Sequence, residues 1–153
     1  VCGQTLRVQQ QQMGGINAAD GTGWRMWNSA LVLAKYIEAN ALELLQPRLG
    51  APRAGAAAVR VLDMSAGPGL LGLACAVCAA KHGLDVEVVL TEMPSPSLVQ
   101  LQANIATANE QLGRVLGAAY RPAEVVPFTW GKQPRGTGGQ TCDTPAPVSS
   151  WLF

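Results

Sequence analysis

The chain has 153 residues, of which 48% are hydrophobic and 14% charged, and its net charge is +1. That length fits one domain, the apolar share supports a packed core, and the composition excludes a disordered chain. The charge balance offers no basic face for nucleic acid, and the longest strongly apolar stretch, Leu70 to Ala80, falls short of the roughly 20 residues that a membrane-spanning helix needs.

Residues 1–23 read as a loose leading segment, polar at "QQQQ" and rich in Gly, with a short strand at Thr5–Gln9. The segment has no charged-then-apolar secretion pattern. It also lacks an initiating Met, as a fragment or an incomplete reading would. "NSALVLAKYIEANALELLQ" follows. Leu31, Ala34, Ile37, Ala41 and Leu45 recur at three- and four-residue steps, which predicts one helix with an apolar face. Asn28 stands at its N-cap, and Pro47 with Gly50 stops it.

Val59–Asp63 reads as a buried strand, and Leu70–His82 as a helix closed by Gly83 in the left-handed conformation. Val86–Glu92 is a second strand. In the helix after it, Ser95 caps, Pro96 takes the first turn and Gly113 ends the run. Ala123–Phe128 is a third, shorter strand. Residues 132–153 form a Gly-, Pro- and Thr-rich tail without period. Strands that alternate with helices predict a parallel α/β sheet with its ligand at the carboxyl ends of the strands, where Asp63 and Glu92 stand.

Cys75 and Cys78 form a C-x-x-C inside the apolar helix. A zinc site would need further ligands, and the only His is His82. A redox motif would open its helix, not sit within it. Small buried residues on a packed face, in a reduced intracellular compartment, are the expected reading, and no metal is expected.

Two ligands compete for the glycine loop. Gly67-Pro68-Gly69-Leu70-Leu71-Gly72 fits the G-x-G-x-x-G dinucleotide pattern, with Glu92 about 20 residues on to hold a ribose hydroxyl. That would make the chain part of a nicotinamide-dependent oxidoreductase. In the other register, the loop Asp63-Met64-Ser65-Ala66-Gly67-Pro68-Gly69 approximates the acid-x-G-x-G-x-G of S-adenosylmethionine enzymes. A diphosphate wants bare amides at a helix N-terminus, and a carboxylate just before them repels it. S-adenosylmethionine has no phosphate but carries an ammonium and a positive sulfur. An opposite-charge pair at roughly 4 Å gives about 4 kcal/mol at intermediate dielectric, before desolvation. Asp63 is therefore the discriminating residue. A helix-capping acid is the competing reading of Asp63, and a tight turn without a ligand is that of the loop.

"GWRMWNSALVLAKYIE", "VLDMSAGPGLLGLA", "LTEMPSPSLVQLQANIATAN" and "FTWG" come in the order and approximate spacing of a known family. From about Gly23 to Gly131 the chain resembles the small seven-strand protein-lysine methyltransferases, the methyltransferase-like group that modifies chaperones, elongation factors and similar proteins. The resemblance implies a Rossmann-like class I methyltransferase sheet over residues 24–131, of which about three parallel strands with flanking helices are visible. It also implies S-adenosylmethionine as cofactor, a lysine-bearing protein as substrate, and a cytoplasmic or nuclear setting.

By the same resemblance, Trp27 lies near the cofactor. The loop from Asp63 through Ser65 and Gly67 to Gly69 wraps its methionine and ribose, Glu92 binds the ribose hydroxyls, Met93 lies beside the adenine, and Trp130 borders it. Asn104 matches the helix Asn of an "N-I" pair, an exposed helix Asn being the competing reading. For Trp27 and Trp130 the competing reading is plain hydrophobic packing.

The chain departs from the family pattern at several points. Asn28 replaces an Asp. Ser65 replaces a Gly, at a steric cost if φ is positive there. Pro68 removes a loop N–H. The fourth strand with its acid-x-x-Tyr block does not follow Gly131, so the expectation is a truncated cofactor-binding half, active or a non-catalytic remnant, with the outer edge of the first strand unpaired. No catalytic side chain is identifiable.

Overall fold

The computed structural model describes residues 1–10, 23–46 and 59–130, and the backbone of residues 151–152. Its centre is β1, Val59–Asp63, paired in parallel with β2, Val86–Glu92, over five residue pairs from Val59↔Val86 to Asp63↔Leu90. β3, Glu124–Pro127, adds to the far side of β2, also in parallel. A two-residue strand, β4, Trp151–Leu152, lies parallel to β1 on its other side. The sheet order β3-β2-β1-β4 makes the β1 edge a reversal point in the winding of the chain. The outer edge of β1 is therefore not bare: Arg60 and Val61 pair with Trp151 and Leu152.

Two crossover helices connect the parallel strands. α3, Leu70–His82, follows β1, and α4, Pro96–Leu116, follows β2. α3 is apolar all round, as a helix must be when sheet and helices enclose it. Leu73, Ala74, Val77 and Cys78 have no exposed surface. Leu73, Val77 and Cys78 share a core with Leu90 of β2 and Leu101 and Leu112 of α4, which are also buried, while Ala74 packs with Ala34 and Leu70. Each such leucine contributes about 1.5–3 kcal/mol of burial. Gly83 ends α3 at φ 63°, and its amide and that of Leu84 close the last turn on Ala80 and Ala79. On the face of the sheet away from Leu90, Arg60, Glu87, Arg121 and Asp85 form an exposed chain of ion pairs, of the kind that adds little stability.

The leading helix is broken in two. α1, Asn28–Ala39, packs on α3, and a short α2, Ala41–Leu45, continues the apolar stripe after Asn40. The Asn40 side-chain amide and its backbone N–H both donate to the Tyr36 carbonyl, at 2.8 and 3.0 Å. Asn28 is the first helical residue and Trp27 holds the N-cap position, with no side-chain cap. Ser95 holds the N-cap position of α4, but its hydroxyl turns to the Met93 carbonyl and the Ser97 hydroxyl. Gly113 lies inside α4, which runs on to Leu116 and ends at Gly117 with φ 59°. A 3-10 turn, Gly117–Ala119, leads on toward β3.

No strand forms at Thr5–Gln9. Residues 1–10 nonetheless lie against the core, with Val1, Cys2, Leu6 and Val8 packed on it. Cys142 and the rest of 131–150 lie outside the described residues, as do Pro47 and Gly50.

Candidate functional site

A cleft of about 550 Å³ opens at the carboxyl ends of β1 and β2, beside the reversal point, where ligands of open parallel sheets bind. Its wall includes Trp27, Asp63, Ser65, Gly67, Glu92, Met93 and Trp130. Seven of the eight residues singled out in the sequence therefore share one cavity, although they come from four separated stretches of chain.

Gly69 is the exception. It sits behind the loop at φ 93°, and a β-carbon there would stand 2.8 Å from Leu101 Cδ1 and 2.9 Å from Ile105 Cδ1. It shapes the turn by letting α4 approach. Gly72 acts in the same way toward the sheet, since a β-carbon there would meet Leu90 at 2.7 Å. Ser65 adopts φ 59°, the left-handed region that favours glycine. Its hydroxyl accepts the Trp130 indole N–H at 3.3 Å.

Four amides of the loop and the first turn of α3 are committed inside the protein. Ala66 N–H goes to the Thr91 carbonyl at 2.9 Å, and Gly69 N–H to the Ala66 carbonyl at 2.9 Å. Gly67 N–H donates to Glu92 Oε2 at 3.1 Å, and Gly72 N–H to Asp63 Oδ2 at 3.0 Å. Pro68 has no N–H. A diphosphate would have to displace two carboxylates to reach these donors, and it would face their charge.

Asp63 thus caps the first turn of α3 and lines the cleft at once. Burial pushes its carboxyl above the ordinary 3.8; the Gly72 hydrogen bond opposes the rise, and the neighbouring Glu92 charge adds to it. Glu92 is 7% exposed, and its Oε1 accepts the Met93 N–H at 2.9 Å. Each Glu92 oxygen keeps a further lone pair for a ligand hydroxyl.

The rest of the wall mixes polar residues, Arg25, Ser29, Ser95 and Ser97, with apolar ones open to solvent. Trp27 is 53% exposed, Met93 48% and Trp130 58%. Neither Trp is buried in packing; Trp130 rests edge-on against Phe128 with centroids 5.6 Å apart. Such half-covered flat surfaces suit an aromatic ring. Gly23, Met26 and Ser97 also line the cleft. None of them has a chemical signature in sequence, although Gly23 and Met26 lie within the first of the four blocks.

Asn104 is not the exposed helix residue that its position allowed. It is 4% exposed and hydrogen-bonded to the carbonyl of Pro68 in the loop. Cys75 and Cys78 are buried in α3, and burial pushes both thiols up to about 12. They are protonated at neutral pH and are not nucleophiles in that state. Among the described residues, no group of three His, Cys, Asp or Glu stands at metal-binding spacing. No helix among them is long and apolar enough to cross a membrane.

A family model described as lysine methyltransferase matches residues 3–138. The chain belongs to that family. It is a lysine methyltransferase of the class that depends on S-adenosylmethionine, on an α/β sheet of the Rossmann-like kind, and its family acts on protein lysines. The Gly67 and Gly72 amides, held by carboxylates, give the dinucleotide alternative no support. Comparison with curated proteins finds no match.

Proposed function

We propose that the cleft of this lysine methyltransferase holds S-adenosylmethionine and presents it to the side-chain amine of a protein lysine. The observation that carries this reading is the pair of carboxylates at the strand ends, Asp63 of β1 and Glu92 of β2, which line the cleft and already hold the Gly72 and Gly67 amides. The donor set fits a cationic nucleoside and not a diphosphate.

Each residue then has a role. Asp63 attracts positive charge at the methionine end. Glu92 receives the ribose hydroxyls on its free lone pairs. Trp27, Met93 and Trp130 supply apolar surface for the adenine and its approach. Ser65 and Gly67 bring loop backbone against the ligand, and Gly69 gives the loop its turn. When bound, S-adenosylmethionine supplies a methyl group on a positively charged sulfur. The protein's part is to fix that group's position, admit a neutral lysine amine in line with it, and keep water away. No enzyme nucleophile is required for a displacement at carbon. A reduced cytoplasmic or nuclear setting fits the neutral thiols of Cys75 and Cys78.

A crystal structure with S-adenosylhomocysteine tests the assignment. The expected result is ribose hydroxyls on the Glu92 carboxylate and the amino-acid end toward Asp63. Carboxylates bonded only to protein while the ligand lies elsewhere would overturn it.

A further inference from the structure

Asn104 stands in the middle of α4, and its polar side chain is buried. All three of its hydrogen bonds go to backbone of two distant segments. Its Nδ2 donates to the Gln9 carbonyl and to the Pro68 carbonyl, each at 3.0 Å, and its Oδ1 accepts the Gln9 N–H at 3.0 Å. Both N–H donors are used and the carbonyl oxygen has one partner, so each polar atom of the side chain is paired.

The two segments matter. Pro68 belongs to the glycine loop and cannot donate, so its carbonyl is the handle by which the loop can be held. Gln9 belongs to the leading segment. Its neighbour Gln10 reaches the other way, and Gln10 Oε1 accepts the Met26 N–H at 3.1 Å. Met26 and Pro68 both line the cleft. The leading segment is itself anchored. Its apolar residues pack on the core, Cys2 N–H donates to Glu38, and Gln100 donates to the Gln9 carbonyl.

We propose that Asn104 is a positioning residue for the methyl donor: with Gln9 and Gln10 it forms a clasp that fixes the loop at Pro68 relative to the cleft wall at Met26. This rests on the reading of the cleft as the S-adenosylmethionine site. The clasp sets both stretches of wall before the ligand arrives, and a preorganised wall costs less ordering on binding.

The test is calorimetric titration of S-adenosylhomocysteine into wild type, Asn104→Asp and Gln10→Ala, with amide hydrogen exchange on the unliganded proteins. Asp keeps the shape and an acceptor for Gln9 N–H but loses both donors. Gln10→Ala removes the Met26 acceptor from an exposed side chain and leaves the core intact. Loss of one or two buried bonds predicts about tenfold weaker binding for Asn104→Asp, and a smaller loss for Gln10→Ala. Exchange should accelerate in the loop amides of Ala66, Gly67 and Gly69 while Leu73–Ala80 of α3 stay protected. If both variants bind as wild type does, or if exchange rises evenly through α3, Asn104 is only a structural residue and the clasp is refuted. If wild type itself does not bind, the cofactor reading fails and the clasp falls with it.

Discussion

The carboxylate of Glu92, at the end of β2, accepts the amide of Gly67, in the loop after β1, at 3.1 Å. Its other oxygen takes the Met93 amide. One buried side chain thus joins the two strand ends that form the cleft. Glu92→Gln would turn an NH₂ toward one of these N–H donors and leave a buried amide without an acceptor. The expected cost is about 1–3 kcal/mol of stability, read by denaturant unfolding. S-adenosylhomocysteine binding should weaken by at least about tenfold, because a charged acceptor is lost.

Asp63 gives a pH signature. Burial holds its native carboxyl above the ordinary value, with the Glu92 charge adding to the rise against the Gly72 hydrogen bond. Between the unfolded and the raised native pKa the folded state binds more protons than the unfolded state. Stability contributed by this group therefore falls as pH rises through that window. Melting temperature of the unliganded protein should drop there, and Asp63→Asn should flatten the drop. Affinity for an ammonium-bearing ligand should move the other way, rising as Asp63 ionises. Paired melting and calorimetric titrations from mildly acid to neutral pH check both signs.

Much of this arrangement was readable from the residues, and the failures share a cause. Leu70–His82 was readable because an unbroken apolar run ends in a Gly that takes positive φ. The cleft residues were readable because their blocks come in family order. Gly113 misled because its local helix penalty, about 1 kcal/mol, is outweighed by packing such as that of Leu112. The break at Asn40 was hidden because Ala41 and Leu45 keep the apolar rhythm across it. Asn104 could not be read as buried, since its partners lie 95 and 36 residues away. β4 has two residues, too few for any period to show.

Ser65 sits at φ 59°. Ser65→Gly should relieve about 1 kcal/mol of left-handed strain, partly offset by the lost Trp130 contact at the exposed rim. Thermal unfolding should show a melting temperature higher by about 2–4 °C. A lower one would mean that the indole contact outweighs the strain.

Gly72→Ala places a methyl group 2.7 Å from Leu90, which has no exposed surface to move into. The overpacking should cost about 1–3 kcal/mol. It should also lengthen the Gly72–Asp63 hydrogen bond. Urea unfolding gives the first quantity. The Gly72 amide chemical shift reports the second.

The central claim is that two acids at the strand ends select a cationic nucleoside over a diphosphate. Calorimetric titration of the 153-residue chain with S-adenosylhomocysteine and, separately, with NAD tests it most directly. The account predicts binding of the first ligand, at least about tenfold weaker in Asp63→Ala, and none of the second. Binding of NAD with no response to S-adenosylhomocysteine would contradict it.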